Sequence, residues 1–201
     1  MTIIGLAGGS GSGKTTVSRL FSQYNVLPVN TDEIYHNLTS SNTPCLSSIV
    51  EEFGDCVLNE HGTLDRKALG AIVFSDQEKL GRLNTISHYY VLCAVRDIIS
   101  VAEKQGYIGV MVDAPLLFES GFDEECDVIV VVTAGREKRL ERITARDKIS
   151  VADATKRIKN QLSDEFLSSR ADFIITNNGT LDDLKEQVER VVDLIKNKKI
   201  K

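Results

Sequence analysis

The 201-residue chain has no run of about 18 uninterrupted apolar residues, so no transmembrane helix and no membrane partner are expected. It has no basic excess either. Its 24 lysines and arginines stand against 29 aspartates and glutamates, a net charge of −5. That balance argues against a nucleic-acid partner, although a local cluster can still serve an anionic small molecule. The amino terminus shows no basic segment followed by an apolar stretch and a cleavage site. No secretory signal is therefore expected, and the chain reads as cytoplasmic. There is no C-x-x-C pair. Cys45, Cys56, Cys93 and Cys126 are far apart and read as reduced thiols filling core or half-buried positions, not as a disulfide or metal site. No internal repeat and no low-complexity linker divides the chain, whose length suits one α/β domain with embellishments. Nothing in the sequence sets an oligomeric state.

The most informative stretch present is Gly8-Gly9-Ser10-Gly11-Ser12-Gly13-Lys14-Thr15, which fits G-x-x-x-x-G-K-[ST] in full. Residues 2–7 read as a buried strand entering this loop, and residues 16–21 as the first turns of a helix leaving it. Glycines at such a turn let backbone N–H groups face phosphate oxygens, and the helix N-terminus adds a positive partial charge. Gly11, Ser12, Gly13, Lys14, Thr15 and Thr16 are the expected nucleoside-triphosphate contacts. Lys14 can reach the outer phosphates, and the Thr15 hydroxyl can coordinate Mg²⁺. A glycine-rich turn without a ligand would leave both the Lys-Thr pair and the preceding strand as coincidences.

Further apolar runs predict strands over Ile3–Ala7, Ile108–Asp113, Asp127–Thr133 and Phe173–Thr176, with a shorter candidate at Asn25–Val29. Helical spacing predicts helices over Thr16–Tyr24 and within Leu83–Val95. A third covers Leu181–Lys196, with Leu181, Leu184, Val188, Val191, Val192 and Ile195 on one face. Lysines of the segment 196–201 suit a frayed helix end. Alternating strands and helices imply a parallel sheet covered on both faces. The mostly helical stretch from about Asp32 to Gln105 is too long for a simple crossover and reads as an inserted substrate-binding subdomain, with a turn at Asn59–Gly62.

Beyond the loop, Asp32 follows the second strand, where ligands of open α/β sheets sit. It can take or orient the proton of an attacking hydroxyl, or cap a helix starting at Glu33. Asp113 ends the third strand as a Walker B-like carboxylate for Mg²⁺, or as a cap. Pro115-Leu116-Leu117-Phe118-Glu119 then supplies a substrate wall or simple packing. Arg139, Arg142 and Arg146 share a helix face at i, i+3, i+7, within a cluster that includes Arg136, Lys138, Lys148 and Arg157. This reads either as a kinase-like lid closing arginines over a phosphoryl group or as a solvated helix paired with Glu137 and Glu141. Asn177 in Asn177-Asn178-Gly179 can touch an adenine edge or make a plain turn. His88, in a helical stretch, has the look of a packed or surface histidine.

Taken together these residues resemble the dephospho-coenzyme A kinase family over nearly the whole chain. The specific matches are G-x-L-D-R at Gly62–Arg66, V-F-S-D at Val73–Asp76, P-L-L-F-E at Pro115–Glu119 and R-I-x-x-Q at Arg157–Gln161. The resemblance implies ATP-dependent phosphorylation of the ribose 3′-hydroxyl of dephospho-coenzyme A, with ATP and Mg²⁺. The implied fold is a P-loop NTPase of the nucleoside-monophosphate-kinase type, with a parallel five-stranded sheet flanked by helices. Its core would be about 1–31, 106–135 and 162–201, its helical substrate-binding insertion about 32–105 and its lid about 136–161. By position, the resemblance implies Asp32, Lys14 and Arg146 as catalytic residues. Arg142 and Asn177 would lie at the adenine, and Arg66, His88, Leu117 and Phe118 on the substrate side with Asp32. Thr15 and Asp113 would serve the metal. The chain departs from the family at Asn30-Thr31-Asp32 (usually Asp-Ala-Asp), at His88-Tyr89 (usually His-Pro) and at Arg139 (usually Gln). A nucleotide switch is disfavoured, because N-K-x-D is missing and Ala114-Pro115, not a glycine, follows Asp113.

Overall fold

Five short apolar runs make one sheet in the computed structural model, which describes residues 1–197. They are β1 (Thr2–Ala7), β2 (Val26–Asn30), β3 (Gly109–Asp113), β4 (Val128–Thr133) and β5 (Phe173–Thr176), in the spatial order β2-β3-β1-β4-β5. The sheet is parallel, with Ile4 of β1 opposite Met111 of β3 and Val128 of β4. Central parallel strands are covered on both faces and so read as unbroken apolar runs. Accordingly Val110, Met111, Val112, Val128, Val130 and Val131 are all fully buried. Each expected strand end lies within one residue of the observed one.

Nine helices connect and flank these strands among the described residues: α1 (Lys14–Ser22), α2 (Thr31–Leu38), α3 (Pro44–Phe53), α4 (Arg66–Val73), α5 (Gln77–Lys104), α6 (Arg136–Asp147), α7 (Val151–Lys159), α8 (Asp164–Ser169) and α9 (Leu181–Asn197). α1 begins two residues before its expected start, because Gly13, at φ 104°, turns the loop directly into the helix. α9 lays Leu184, Val188, Val191, Val192 and Ile195 into the core with Leu20 and Phe21 of α1 and Ile175 of β5. Leu181 was expected on the same face, but it stands at the helix start and is 54% exposed. The helix end expected over 196–201 lies outside the described residues beyond Asn197.

The chain forms two compact units: Asn30–Ile98, and Met1–Val29 together with the chain from Ile99 onward. The smaller unit has its own core of Cys45, Leu46, Ile49, Val57, Leu64, Leu69 and Val73, backed by Leu80, Leu83 and Ile86 of α5. Its helices start at identifiable caps. The Thr43 hydroxyl accepts the Leu46 N–H with Pro44 in the first turn; Asp65 accepts from Lys67 and Ala68, and Asp76 from Glu78 and Lys79. The expected turn at Asn59–Gly62 forms, with Asn59 Oδ1 accepting the N–H groups of His61 and Thr63 and Gly62 at φ 68°. α5 is a single 28-residue helix, far longer than the 83–95 stretch that periodicity marked.

The four thiols are free, but they are not all fillers: Cys45 is buried, Cys93 and Cys126 are half-buried, and Cys56 is exposed. Burial, with Asp123, Asp127 and Glu125 nearby, pushes the Cys126 thiol up to about 12. Alkylation followed by mass spectrometry at about pH 8 is expected to modify Cys56 first and Cys126 far more slowly. Leu184→Ala removes a side chain only 2% exposed. It is expected to cost about 2–5 kcal/mol, read as a lower urea midpoint with unchanged slope.

Candidate active site

A loop that turns its N–H groups toward a ligand must send its carbonyls elsewhere, and each of those needs a donor. Residues 8–13 meet this demand in full. Lys14 Nζ donates to Gly8 O at 3.0 Å, and the Ser12 N–H to Gly9 O at 3.1 Å. Arg139 Nε donates to Ser10 O at 3.0 Å, and Arg142 Nη1 to Gly11 O at 3.1 Å. Asn177 Nδ2 donates to Ser12 O at 2.8 Å, while the N–H groups of Thr16 and Val17 close on Gly13 O. Gly8, Gly11 and Gly13 sit at φ 149°, 77° and 104°, conformations that favour glycine. Among the described residues the amides of Gly11, Gly13, Lys14 and Thr15 have no protein partner. Four N–H groups at the start of an α-helix with no side-chain cap form an anion-binding end.

Lys14 lies beside this end with Nζ 3.9 Å from Asp113 Oδ1, both side chains being mostly buried. Thr15 and Thr16 are exposed on the first turn of α1. Asp113 closes β3, the strand beside β1, and β1 leads through the loop to Thr15 in the first turn of α1.

Beyond the sheet, the arginine face expected on α6 divides. Arg142 bridges Gly11 O, Asn177 O at 3.1 Å and Asn177 Oδ1 at 3.3 Å. A Cβ on Gly13 would collide with the Asn177 amide, so this asparagine is packed against the loop instead of forming a plain turn. Arg139 is only 5% exposed and ion-pairs with Asp164, so it turns inward and does not stand on an open face. Arg146 points outward to Asp147, with Nε–Oδ1 at 2.7 Å and Nη2–Oδ2 at 2.9 Å, and Arg157 joins the same carboxylate. Arg146, and then Arg157, hold the Asp147 carboxyl down at about 2. None of these arginines pairs with Glu137 or Glu141 among the described residues.

Leu117 and Phe118 part company after β3. Leu117 is 1% exposed and packs beneath Gly5, so its side chain lies in the core, not on a substrate-facing surface. Phe118 is half-buried, edge-on to Phe166 with ring centroids 5.6 Å apart, and Arg170 lies over its face.

In the smaller unit the capping alternative for Asp32 falls away. α2 starts at Thr31, and its cap is Asn30, whose Oδ1 accepts the N–H groups of Asp32 at 2.9 Å and Glu33 at 3.4 Å. The Asp32 carboxylate is exposed and makes no hydrogen bond among the described residues. Arg66 lies over the Tyr35 ring at 5.2 Å, and its Nη2 reaches His36 Nδ1 at 3.0 Å and Thr39 Oγ1 at 3.2 Å. Burial pushes the Tyr35 hydroxyl up. His88 is half-buried on α5. Sequence reasoning missed Tyr35, His36 and Thr39; only their one-turn spacing on α2 could have signalled a shared cluster.

The dephospho-CoA kinase family model matches residues 2–183. A dephospho-CoA kinase of Fusobacterium nucleatum is 40% identical over 193 residues, 96% of this chain and 98% of that protein. One from Thermobifida fusca is 40% identical, covering 95% and 94%. Among solved structures, a Thermus thermophilus protein superposes with a TM-score of 0.82 at 30% identity over 95% of each chain. The dephospho-CoA kinase of Campylobacter jejuni gives 0.70 at 27% over 96% of each. Shikimate kinase of Acinetobacter baumannii, at 17% identity and 0.57 over 100% of this chain and 96% of that one, shares the fold.

Gly13→Ala would force a Cβ into the Asn177 amide at a left-handed φ. It is expected to weaken ATP binding at least about tenfold, or 1.4 kcal/mol, by calorimetric titration.

Proposed function

We propose residue roles from one premise: this chain belongs to the dephospho-CoA kinase family, which phosphorylates dephospho-coenzyme A with ATP in the last step of coenzyme A biosynthesis. The observation that carries the reading is the set of four partnerless amides at the head of α1, with Lys14 alongside. In this reading the amides and Lys14 hold the β- and γ-phosphates of ATP. Lys14 keeps its bond to Gly8 O and turns another of its three N–H donors to a phosphate oxygen.

Mg²⁺ fits the donors present. The Thr15 hydroxyl and the Asp113 carboxylate would hold it, since this hard cation takes oxygen ligands and needs only one or two from protein. When bound it would neutralise charge on the transferring phosphoryl group. Arg142, held by Gly11 and Asn177, would offer a guanidinium face to the adenine. Asn177 Oδ1, already accepting from Arg142, keeps a second lone pair for the adenine amino group.

The acceptor we assign is the ribose 3′-hydroxyl. Asp32 is the group that takes or orients its proton: Asn30 does the capping, so the carboxylate is left unengaged. In the smaller unit Arg66, with His36 and Thr39 beside it, and His88 would serve the acceptor, and in the larger unit Phe118 would. Arg146 would leave Asp147 for the transferring phosphoryl, which offers more negative charge and a matching fork of oxygens. The rate in this reading comes from positioning and electrostatics.

A coupled ADP-release assay with product mass is expected to give a product heavier by one phosphoryl group, with little ADP released when dephospho-coenzyme A is omitted. Asp32→Asn is expected to lower kcat by about 10²–10⁴ while ATP affinity stays within about twofold. An equal loss of ATP affinity would overturn the role given to Asp32.

A further inference from the structure

Arg139 is a charged side chain that the chemistry above does not use, yet it is 5% exposed. A cation taken out of water is expensive unless it is paired and hydrogen-bonded. Here it is both. Nη1 donates to both oxygens of Asp164, at 2.9 and 3.0 Å, and Nε donates to Ser10 O at 3.0 Å. The guanidinium lies where a Cβ on Gly9 would stand, and the Arg139 backbone is where a Cβ on Gly11 would meet it. Gly9 therefore leaves room for the guanidinium, and Gly11, at φ 77°, leaves room for the α6 backbone.

Ser10 is gripped on its other backbone group as well. Gln161, just past α7, accepts the Ser10 N–H at 2.8 Å and donates Nε2 to the Ser10 hydroxyl at 3.1 Å. The outer turn of the loop thus has its carbonyl fixed from α6 and its amide fixed from the segment before α8. The Asp164 carboxylate is 44% exposed and sits in the first turn of α8, where Ser163 caps the helix. Asp164 thus orients the guanidinium from a partly open position at a helix start.

We propose that Arg139 and Asp164 act as one positioning unit. The pair holds Ser10 so that the neighbouring amides of Gly11 and Gly13 keep the spacing a triphosphate requires, and so sets ATP affinity without touching the nucleotide. This rests on the family's use of ATP but not on the role given to Asp32, since nucleotide binding can be measured without an acceptor.

The test compares Arg139→Gln, Arg139→Lys, Asp164→Asn and the Arg139→Gln/Asp164→Asn double variant in the full chain, with ATP·Mg²⁺ titrated by calorimetry. Both Michaelis constants and the melting temperature are measured alongside. Arg139→Gln keeps a donor but loses the ion pair. It is expected to raise Kd and KM for ATP about tenfold and to leave KM for dephospho-coenzyme A within twofold. Asp164→Asn, at a partly exposed site, is expected to give about a threefold to tenfold rise, and Arg139→Lys an intermediate one. The double variant is expected to be no worse than Arg139→Gln, because the two side chains act together. If Arg139→Gln fails to fold, Asp164→Asn carries the same test. Unchanged ATP affinity in the folded variants would overturn the proposal. So would a parallel loss in both Michaelis constants that follows the melting temperature, or fully additive effects.

Discussion

The carbonyl groups of residues 8–13 impose the constraint on which the rest of the site depends. A phosphate loop is a stretch of backbone whose donors are spent on a ligand, so its acceptors must be satisfied by the surrounding protein. Two of the six carbonyls are closed locally, by Ser12 and by the first turn of α1. The other four are met by side chains of Lys14, Arg139, Arg142 and Asn177. Three of those four lie more than 120 residues away in sequence. The loop motif is local, but the conformation it needs is supplied by α6 and by the end of β5. Parallel strand order brings β4, which feeds α6, beside β1, which feeds the loop, with β5 on its far side. The topology thereby delivers the donors.

The same logic separates residues that were legible in the sequence from those that were not. Buried parallel strands leave continuous apolar runs, so their limits could be read closely. Periodicity also placed Arg139, Arg142 and Arg146 on one helix face. It could not say which arginine turns inward, because that depends on Asp164, which lies 25 residues onward, and on the Ser10 carbonyl, 129 residues back. Leu117 and Phe118 are adjacent apolar residues in a loop, and only packing tells the core residue from the half-buried one.

Capping shows the other limit of sequence reading. Asn30 and Asp32 are both good N-cap residues two positions apart, and local sequence does not choose between them. The structure gives the cap to Asn30, which frees the carboxylate of Asp32. The change from the usual Asp at position 30 therefore keeps the cap while removing a negative charge beside Asp32. Asp65 and Asp76, prominent in the motifs that suggested the family, are helix caps within the smaller unit. Motif residues of this kind are fixed by folding as much as by chemistry.

α6 is fastened at its start by the Gly135 N–H and Lys138 to Asn178, and along its inner face by Arg139, Arg142 and the fully buried Ile143. The chain is tied down again at Gln161. What lies between is a short strap anchored at both ends, bending at Lys148, a non-glycine residue at φ 52°. Within this strap Arg146 and Arg157 share one carboxylate, Asp147, so any re-aiming of Arg146 must first break its two bonds there.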